Sequence, residues 1–177
     1  IIAHGTVSQL GMLVMLFGVG IPGVEYAAFV LLLAHAIAKA PLFLTVGIID
    51  HSTGERDLRL LNGIGKRHPF LAIIGSFAAA SMAGIPVFIG FVAKEAELSV
   101  LMDARLTSWI VWFALAAFIV GSTLTVGYMV RFVWGAFGSR AHMPPTEETH
   151  PVSAWIALAP AIFVGLALLG GIFSKWY

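Results

Sequence analysis

Cysteine is absent from this chain of 177 residues, and charged residues are scarce. Without cysteine the chain has no disulfide, no thiolate-bound metal and no cysteine nucleophile. Asp, Glu, Lys and Arg make up 11% of the residues, against about 25% in an average soluble domain. The formal net charge is only +1, so no basic field favours nucleic acid as a partner. The shortage of charge directs attention to the apolar residues.

Hydrophobic residues make up 59% of the chain, and the mean hydropathy is +0.96. They form five long runs, at about 6–24, 25–49, 70–101, 109–137 and 151–173. Each run exceeds the roughly 17 residues that a helix needs to cross the hydrocarbon of a bilayer. None has the alternating pattern of a barrel strand. We therefore predict an all-α, polytopic integral membrane protein with about five transmembrane helices.

The third run is too long for one straight crossing, because about 32 helical residues would span about 48 Å. Gly84 and Pro86 interrupt it near its middle. Pro86 has no backbone N–H to donate and disfavours helical geometry at Ile85. A proline kink within one tilted helix is the simpler alternative. Glycine and proline together favour a broken helix, with an unwound segment near 84–86 of the kind that transporters use at ion sites.

Lys39 lies near the middle of the second run, one helical turn after His35. An ammonium group at bilayer depth costs at least roughly 2.5 kcal/mol on insertion scales and usually faces a bundle interior or a wet cavity. Residues four apart share one helix face, and both side chains can gain and lose a proton there. The pair predicts proton movement within the membrane. For His35 alone, a neutral ring bonded to a neighbouring carbonyl is an equal alternative.

A second charged cluster, Lys94, Glu95 and Glu97, follows the suspected break. Three ionisable groups so close together indicate a hydrated pocket or, equally, ordinary charges at the membrane surface. Three polar residues could support such a site or simply join helices by hydrogen bonds; they are Ser8, Gln9 and Ser81. The sequence predicts neither a metal site nor a cofactor, and no sodium site is identifiable in it.

Basic residues are concentrated in two of the segments that connect the runs. Residues 50–69 contain Arg56, Arg59, Lys66 and Arg67, and Arg140 follows the fourth run. Because basic loops face the cytoplasm, we predict that both segments, including the loop 50–69, are cytoplasmic. The chain begins inside an apolar run, so we expect it to be part of a larger protein.

Three segments resemble the antiporter-like, proton-pumping subunits of respiratory complex I. They are AHGTVSQLG (3–11), LLLAHAIAKAPLF (31–43) and SMAGIPVFIGFVAKEAEL (81–98). The second matches a helix of that superfamily that carries a histidine and a lysine four apart. The third matches its broken helix, which ends in a lysine and an acid. The segment GIIDHSTGERDLRLL (47–61), and the helix with Tyr128 and Arg131, are similar to the large A subunit of Mrp-type multisubunit sodium/proton antiporters.

This resemblance implies one antiporter-like transmembrane domain over residues 1–177, truncated at its N-terminus. It implies that Lys39 is the central proton-relay lysine with His35 as its partner. It also implies that Lys94 is the terminal relay lysine and Glu95 its acidic neighbour. The chain would then belong to a transporter, not an enzyme, and would form the proton-channel portion of a monovalent cation (sodium)/proton antiporter. Its partners would be the lipid of the plasma membrane and the other membrane subunits of a hetero-oligomeric complex.

Other interpretations remain open at this point. An antiporter-like subunit of complex I, or of a membrane-bound hydrogenase, would use the same relay but draw its energy from electron transfer in other subunits. A chromophore bound to Lys39 as a Schiff base would give a coloured preparation. A purely structural bundle that anchors partners would tolerate Lys39→Ala. The family's earlier glutamate–lysine pair would lie upstream of Ile1, so this piece alone is not expected to transport ions.

Overall fold

The computed structural model describes residues 1–104, 109–147, 150 and 155–174, and within these ranges the chain forms seven helices. They are α1 Ile2–Val19, α2 Val24–Thr53, α3 Ile64–Arg67, α4 Pro69–Ala83, α5 Ile89–Asp103, α6 Trp109–Phe137 and α7 Leu158–Phe173. Helices α1, α2 and α6 are long and apolar enough to cross a membrane, and α4 and α7 are shorter apolar helices. The prediction of an all-α polytopic fold is confirmed.

Helix α2 lies at the centre of the bundle, where it packs against α1, α4, α5 and α7. The residues that it buries include Ala27, Ala34, Ala38 and Leu42, none more than 3% exposed. Small side chains at such positions let neighbouring helix backbones approach closely. The helix continues through Pro41 without interruption. Any side chain on its buried face therefore reaches the interior of the bundle and not the lipid.

The ends of α1 and α2 differ from the ends of the apolar runs. Gly20 adopts a left-handed conformation after Val19, which ends α1 before residue 24. At the end of α2, the hydroxyls of Ser52 and Thr53 donate to the Ile49 carbonyl at 3.0 and 2.7 Å. These bonds satisfy an acceptor in the last helical turn, so α2 extends to Thr53. The first residues of the predicted loop 50–69 are consequently helical.

The third apolar run is broken, as predicted. Helices α4 and α5 have 15 residues each, or about 22 Å, and neither alone spans the roughly 30 Å of hydrocarbon. Gly84 takes a left-handed conformation with φ 82° and donates to the carbonyls of Ala80 and Ser81. Glycine adopts this conformation without the penalty that a Cβ would impose. The two half-helices together therefore make one crossing.

Gly90 is the point of closest approach between α5 and α4. A Cβ at this position would overlap with the carbonyl oxygen of Ser81. We expect Gly90→Ala to push the half-helices apart and destabilise the protein by about 1–3 kcal/mol, the usual cost of overpacking. Thermal unfolding of the purified complex measures this effect. The matched control is Gly47→Ala in α2, whose Cβ would meet nothing within 4 Å, and equal Tm values for the two variants would contradict the prediction.

Asn62 joins the loop after α2 to the segment after α6. Its buried side-chain amide donates to the carbonyls of Arg140, Met143 and Pro144, and its oxygen accepts from the Arg140 N–H at 2.6 Å. The backbone of Asn62 also exchanges hydrogen bonds with Thr146, at 2.7 and 3.0 Å. The two basic segments that were predicted to share one side of the membrane are thus in direct contact.

Two exposed ion pairs shape the loop after α2. Arg56 lies 2.9 Å from the Asp50 carboxylate, and Arg59 lies 2.7 Å from that of Asp57. Hydrogen bonds from Arg59 lower the pKa of Asp57 to about 2, so this pair stays charged at physiological pH. Exposed pairs of this kind contribute only about 0–1 kcal/mol. They organise the loop and do not hold the helices together.

Candidate functional site

Lys39 is buried in the middle of α2, with 5% of its surface exposed. Its Nζ donates a hydrogen bond to the carbonyl of Ile2 in α1. The same nitrogen lies 5.7 Å from the centroid of the Phe43 ring, within the range of a cation–π contact. The amine therefore faces the interior of the bundle and does not extend to an interface along lipid.

Tyr128 of α6 brings a second polar group to the same place. A Cβ at Gly5 of α1 would lie 2.8 Å from both Lys39 Nζ and the Tyr128 hydroxyl. Because glycine lacks this atom, α1 leaves room for the amine and the hydroxyl to lie close together beneath it. The Tyr128 hydroxyl is buried and has no hydrogen-bond partner among the described residues. It is therefore available to the amine when Lys39 changes its protonation.

His35 lines a small cavity between α1, α2, α4 and α5. The cavity has a volume of about 20 Å³, enough for about one water molecule. Its polar lining residues are Gln9, His35, Ser81, Lys94 and Glu97. The fold thus brings the histidine of the second apolar run and the lysine of the broken helix to one shared space. Lys39 lies one helical turn from His35 on the same helix.

Six polar atoms of the cavity lining are buried and have no hydrogen-bond partner in the part of the chain that the structure describes. They are Gln9 Oε1, both ring nitrogens of His35, Ser81 Oγ and both carboxylate oxygens of Glu97. A buried polar atom without a partner costs about 1–3 kcal/mol, so this concentration needs an explanation. A hydrated or ion-bearing cavity provides one. The alternative of a His35 ring bonded to a neighbouring carbonyl is not what the structure contains.

Lys94 is built into the helix break. Its Nζ donates to the carbonyl of Ala83, the last residue of α4, at 2.8 Å. A Cβ on Gly84 would lie 2.6 Å from Lys94 Cδ, so the glycine that ends α4 also makes space for the lysine stem. The unwound segment and Lys94 are therefore one local arrangement, as expected for a discontinuous membrane helix at an ion site.

The acid at the cavity is Glu97. It lies three residues after Lys94, on the same helix face, and is fully buried. Glu95, which the resemblance implied as the acidic neighbour of Lys94, is exposed and does not line the cavity. Its role stays a prediction. Helical spacing was the available signal for Glu97, although it could not say which face of α5 is buried.

The three supporting polar residues separate in the same way. Gln9 and Ser81 are buried, at 5% and 0% exposure, and both line the cavity. Ser8 is exposed on another face of α1. The residues that line the cavity therefore come from four helices, whereas Lys39 and Tyr128 meet beneath α1. Sequence reasoning did not single out the proximity of Gly5 and Tyr128 to Lys39, because it depends on contacts between distant segments.

Comparisons with known proteins agree with this architecture. Residues 1–125 match the family described as "NADH:quinone oxidoreductase/Mrp antiporter, TM". The chain is 34% identical over 192 residues to the A1 subunit of the Na(+)/H(+) antiporter of Staphylococcus aureus (strain Newman), covering 98% of this chain and 24% of the relative. It is 32% identical over 169 residues to the A/B subunit of the probable K(+)/H(+) antiporter of Rhizobium meliloti (strain 1021), covering 96% and 17%.

A solved structure is similar over nearly the whole chain. It is the structure of the Mrp complex from Dietzia sp. DQ12-45-1b, with a TM-score of 0.79 and 25% identity, over 99% of this chain and 40% of that chain. This chain spans about a fifth of the length of the two curated relatives.

A helical membrane bundle with a buried central lysine and a broken helix defines the class of antiporter-like membrane domains. The chain belongs to the NADH:quinone oxidoreductase/Mrp antiporter membrane family. Its predicted resemblance to the large polypeptide of Mrp-type antiporters is confirmed, since both curated relatives and the solved Mrp complex match across almost the entire chain.

Proposed function

We propose that this chain forms the proton-conducting portion of a monovalent cation/proton antiporter subunit, with Lys39, His35 and Lys94 as proton carriers. The observation that carries the proposal is the cluster of six buried, unpartnered polar atoms around the cavity that His35 and Lys94 share. A structural bundle would have no reason to maintain these unsatisfied groups at membrane depth, where each costs free energy.

Each carrier has a distinct part in the proposed path. Lys39 holds a proton where α1, α2 and α6 meet, with the Ile2 carbonyl as its acceptor. His35 lies one turn away, and both of its ring nitrogens are unpartnered, so it can accept a proton on one and release a proton from the other. Water in the cavity would connect His35 to Lys94. Charging one site raises the cost of charging the next, so protonation can propagate along the line.

The exchanged ion and the complete transport cycle belong to the larger protein. The curated relatives are named as Na(+)/H(+) and K(+)/H(+) antiporter subunits, which supports an alkali cation as the counter-substrate. We place the complex in the plasma membrane with the loop 50–69 and the segment after α6 on the cytoplasmic side. Their basic residues and their contact through Asn62 support a common side, and the positive-inside rule selects the cytoplasm.

The alternative is a proton-pumping subunit of a redox-driven complex, because the family description also names NADH:quinone oxidoreductase. The antiporter is favoured because both curated relatives reported above are named as antiporter subunits. Purification of the native complex distinguishes them. Flavin or iron–sulfur subunits in the complex would indicate the redox-driven enzyme, whereas a set of small membrane subunits without redox centres would indicate the antiporter.

The direct test of the proposed function is cation-driven proton flux in proteoliposomes that contain the complete complex. Replacement of either lysine should stop the flux while the complex still assembles. Normal flux without Lys39 would contradict the relay.

His35→Ala should reduce this flux without abolishing it. A positioned proton carrier contributes roughly 100-fold or more, but the space left by the ring adjoins the cavity and can admit a bridging water. We expect a loss of about tenfold or less, measured as the initial rate of cation-driven fluorescence change of a pH dye in the vesicles. His35→Leu, which fills the space with apolar atoms, should lose more. Equal rates for His35→Leu and the unmodified complex would exclude His35 from the path.

A further inference from the structure

Four of the unpartnered cavity atoms are oxygens of buried side chains on three helices. They are the two carboxylate oxygens of Glu97, Oε1 of Gln9 and Oγ of Ser81. Glu97 and Ser81 are fully buried, and Gln9 is 5% exposed. Carboxylate, amide and hydroxyl oxygens are the ligands that hard cations prefer. The cavity therefore has a donor set that a proton path alone does not require.

The Glu97 carboxylate also needs a counter-charge. An ionised carboxylate in the interior costs several kcal/mol unless it is paired. Lys94 lies one turn away, but its amine donates to the Ala83 carbonyl, and no ion pair joins it to Glu97 among the described residues. The carboxylate oxygens are thus accessible to a second cation from the cavity side.

We propose that this cavity is a subsite for one monovalent alkali cation, with Glu97, Gln9 and Ser81 as its ligands. The proposal rests on the proposed antiport function and assigns the exchanged cation to the space that protons also use. A volume of about 20 Å³ holds one water-sized particle, which suits a largely dehydrated Na⁺ or K⁺. It does not suit a small divalent ion such as Mg²⁺, which keeps several waters.

Charge balance couples this cation to a proton. The titratable groups that line the cavity are His35 of α2 and Lys94 and Glu97 of α5, whereas α1 and α4 contribute only neutral polar groups. The Lys94–Glu97 pair is electrically neutral when it holds one dissociable proton, on either residue. When it holds none, its net charge of −1 matches one alkali cation. In a poorly hydrated site an uncompensated charge is strongly disfavoured, so the cation binds as one proton leaves.

Proton release on cation addition tests this subsite without any transport measurement. The intact, detergent-solubilised complex in weakly buffered solution receives NaCl, KCl or choline chloride, and a pH-indicator dye reports released protons. Because linkage is reciprocal, we expect the preferred alkali salt to release about one proton more per complex than choline chloride. The NaCl and KCl arms identify the ion. Glu97→Gln should remove that proton, whereas Asp103→Asn, an exposed acid on the same helix, should retain it.

Two further variants make the test decisive. Ser81→Ala and Gln9→Leu each remove one ligand oxygen and should raise the cation concentration for half-maximal release by about tenfold, equivalent to about 1.4 kcal/mol. Equal proton release from Glu97→Gln and the unmodified complex overturns the subsite. If Glu97→Gln does not assemble, unchanged half-maximal concentrations in Ser81→Ala and Gln9→Leu overturn it instead.

The same assay separates this proposal from the proton relay. Lys39 lies outside the cavity lining, so Lys39→Met should lose flux but keep cation-dependent proton release. Normal flux in Lys39→Met would contradict the relay. Loss of flux in that variant together with normal release in Glu97→Gln would leave the relay intact and exclude the cation subsite.

Discussion

Lys39→Ala should abolish cation-driven proton flux by the complete complex, with a loss of roughly 100-fold or more, the contribution of a positioned proton carrier. The amine is the group that joins α1, α2 and α6 at one point, through the Ile2 carbonyl and the space beneath Gly5. Without it, the nearest titratable group on α2 is His35, and no proton carrier remains at the junction with α1. The initial rate of flux in proteoliposomes measures the loss.

Two variants control for damage to the fold. Lys39→Met retains most of the side-chain volume and contact with Phe43 but cannot be protonated, so it should lose as much flux as Lys39→Ala. Lys66→Ala removes an exposed lysine and should leave flux unchanged. All three complexes should assemble in equal yield by size-exclusion chromatography. Flux within about twofold of the unmodified complex in Lys39→Met would show that this amine carries no proton.

The main features of the fold could be predicted because membrane segments reveal themselves by composition. A lysine within an apolar run is visible at once, and glycine beside proline in an overlong run indicates a break. The ends of the helices could not be predicted equally well, because residues facing lipid and residues facing the core are both apolar. The end of α2 depends on two hydroxyls that bond to Ile49, and only the folded chain reveals those bonds.

The rotation of α5 about its own axis was the principal gap in the sequence interpretation of the site. Residues two apart on a helix point about 200° apart, so only one of Glu95 and Glu97 can face the cavity. The resemblance implied Glu95, but packing against α2 and α7 buries the face of Glu97. Both faces of α5 carry apolar residues, and the sequence pattern therefore gave no basis for choosing between them.

Contacts between distant segments were also beyond the sequence. Tyr128 meets Lys39 beneath Gly5, and Asn62 bonds to Thr146 across a sequence separation of 84 residues. The charge pattern could predict that the two basic loops share one side of the membrane. It could not predict that a single buried asparagine fastens them together.

Lys94→Arg should lose flux as completely as Lys94→Ala, although only the alanine variant also disturbs the helix break. Arginine keeps a positive charge and N–H donors that can reach the Ala83 carbonyl, which Lys94 now binds at 2.8 Å. A guanidinium does not release its proton at physiological pH, so the site would remain permanently charged. We expect a loss of roughly 100-fold in both variants, measured as the initial rate of cation-driven proton flux.

The comparison between the two variants separates proton transfer from structural support. If the amine of Lys94 only completes the end of α4, Lys94→Arg should retain flux and Lys94→Ala should lose both flux and thermal stability. If it carries protons, Lys94→Arg should show the unmodified Tm with no flux, because the bond to Ala83 persists while deprotonation does not occur. The permanent charge beside Glu97 should also suppress cation-dependent proton release, since the pair could no longer reach the net charge of −1 that an alkali cation needs. Flux close to that of the unmodified complex in Lys94→Arg would exclude Lys94 as a carrier.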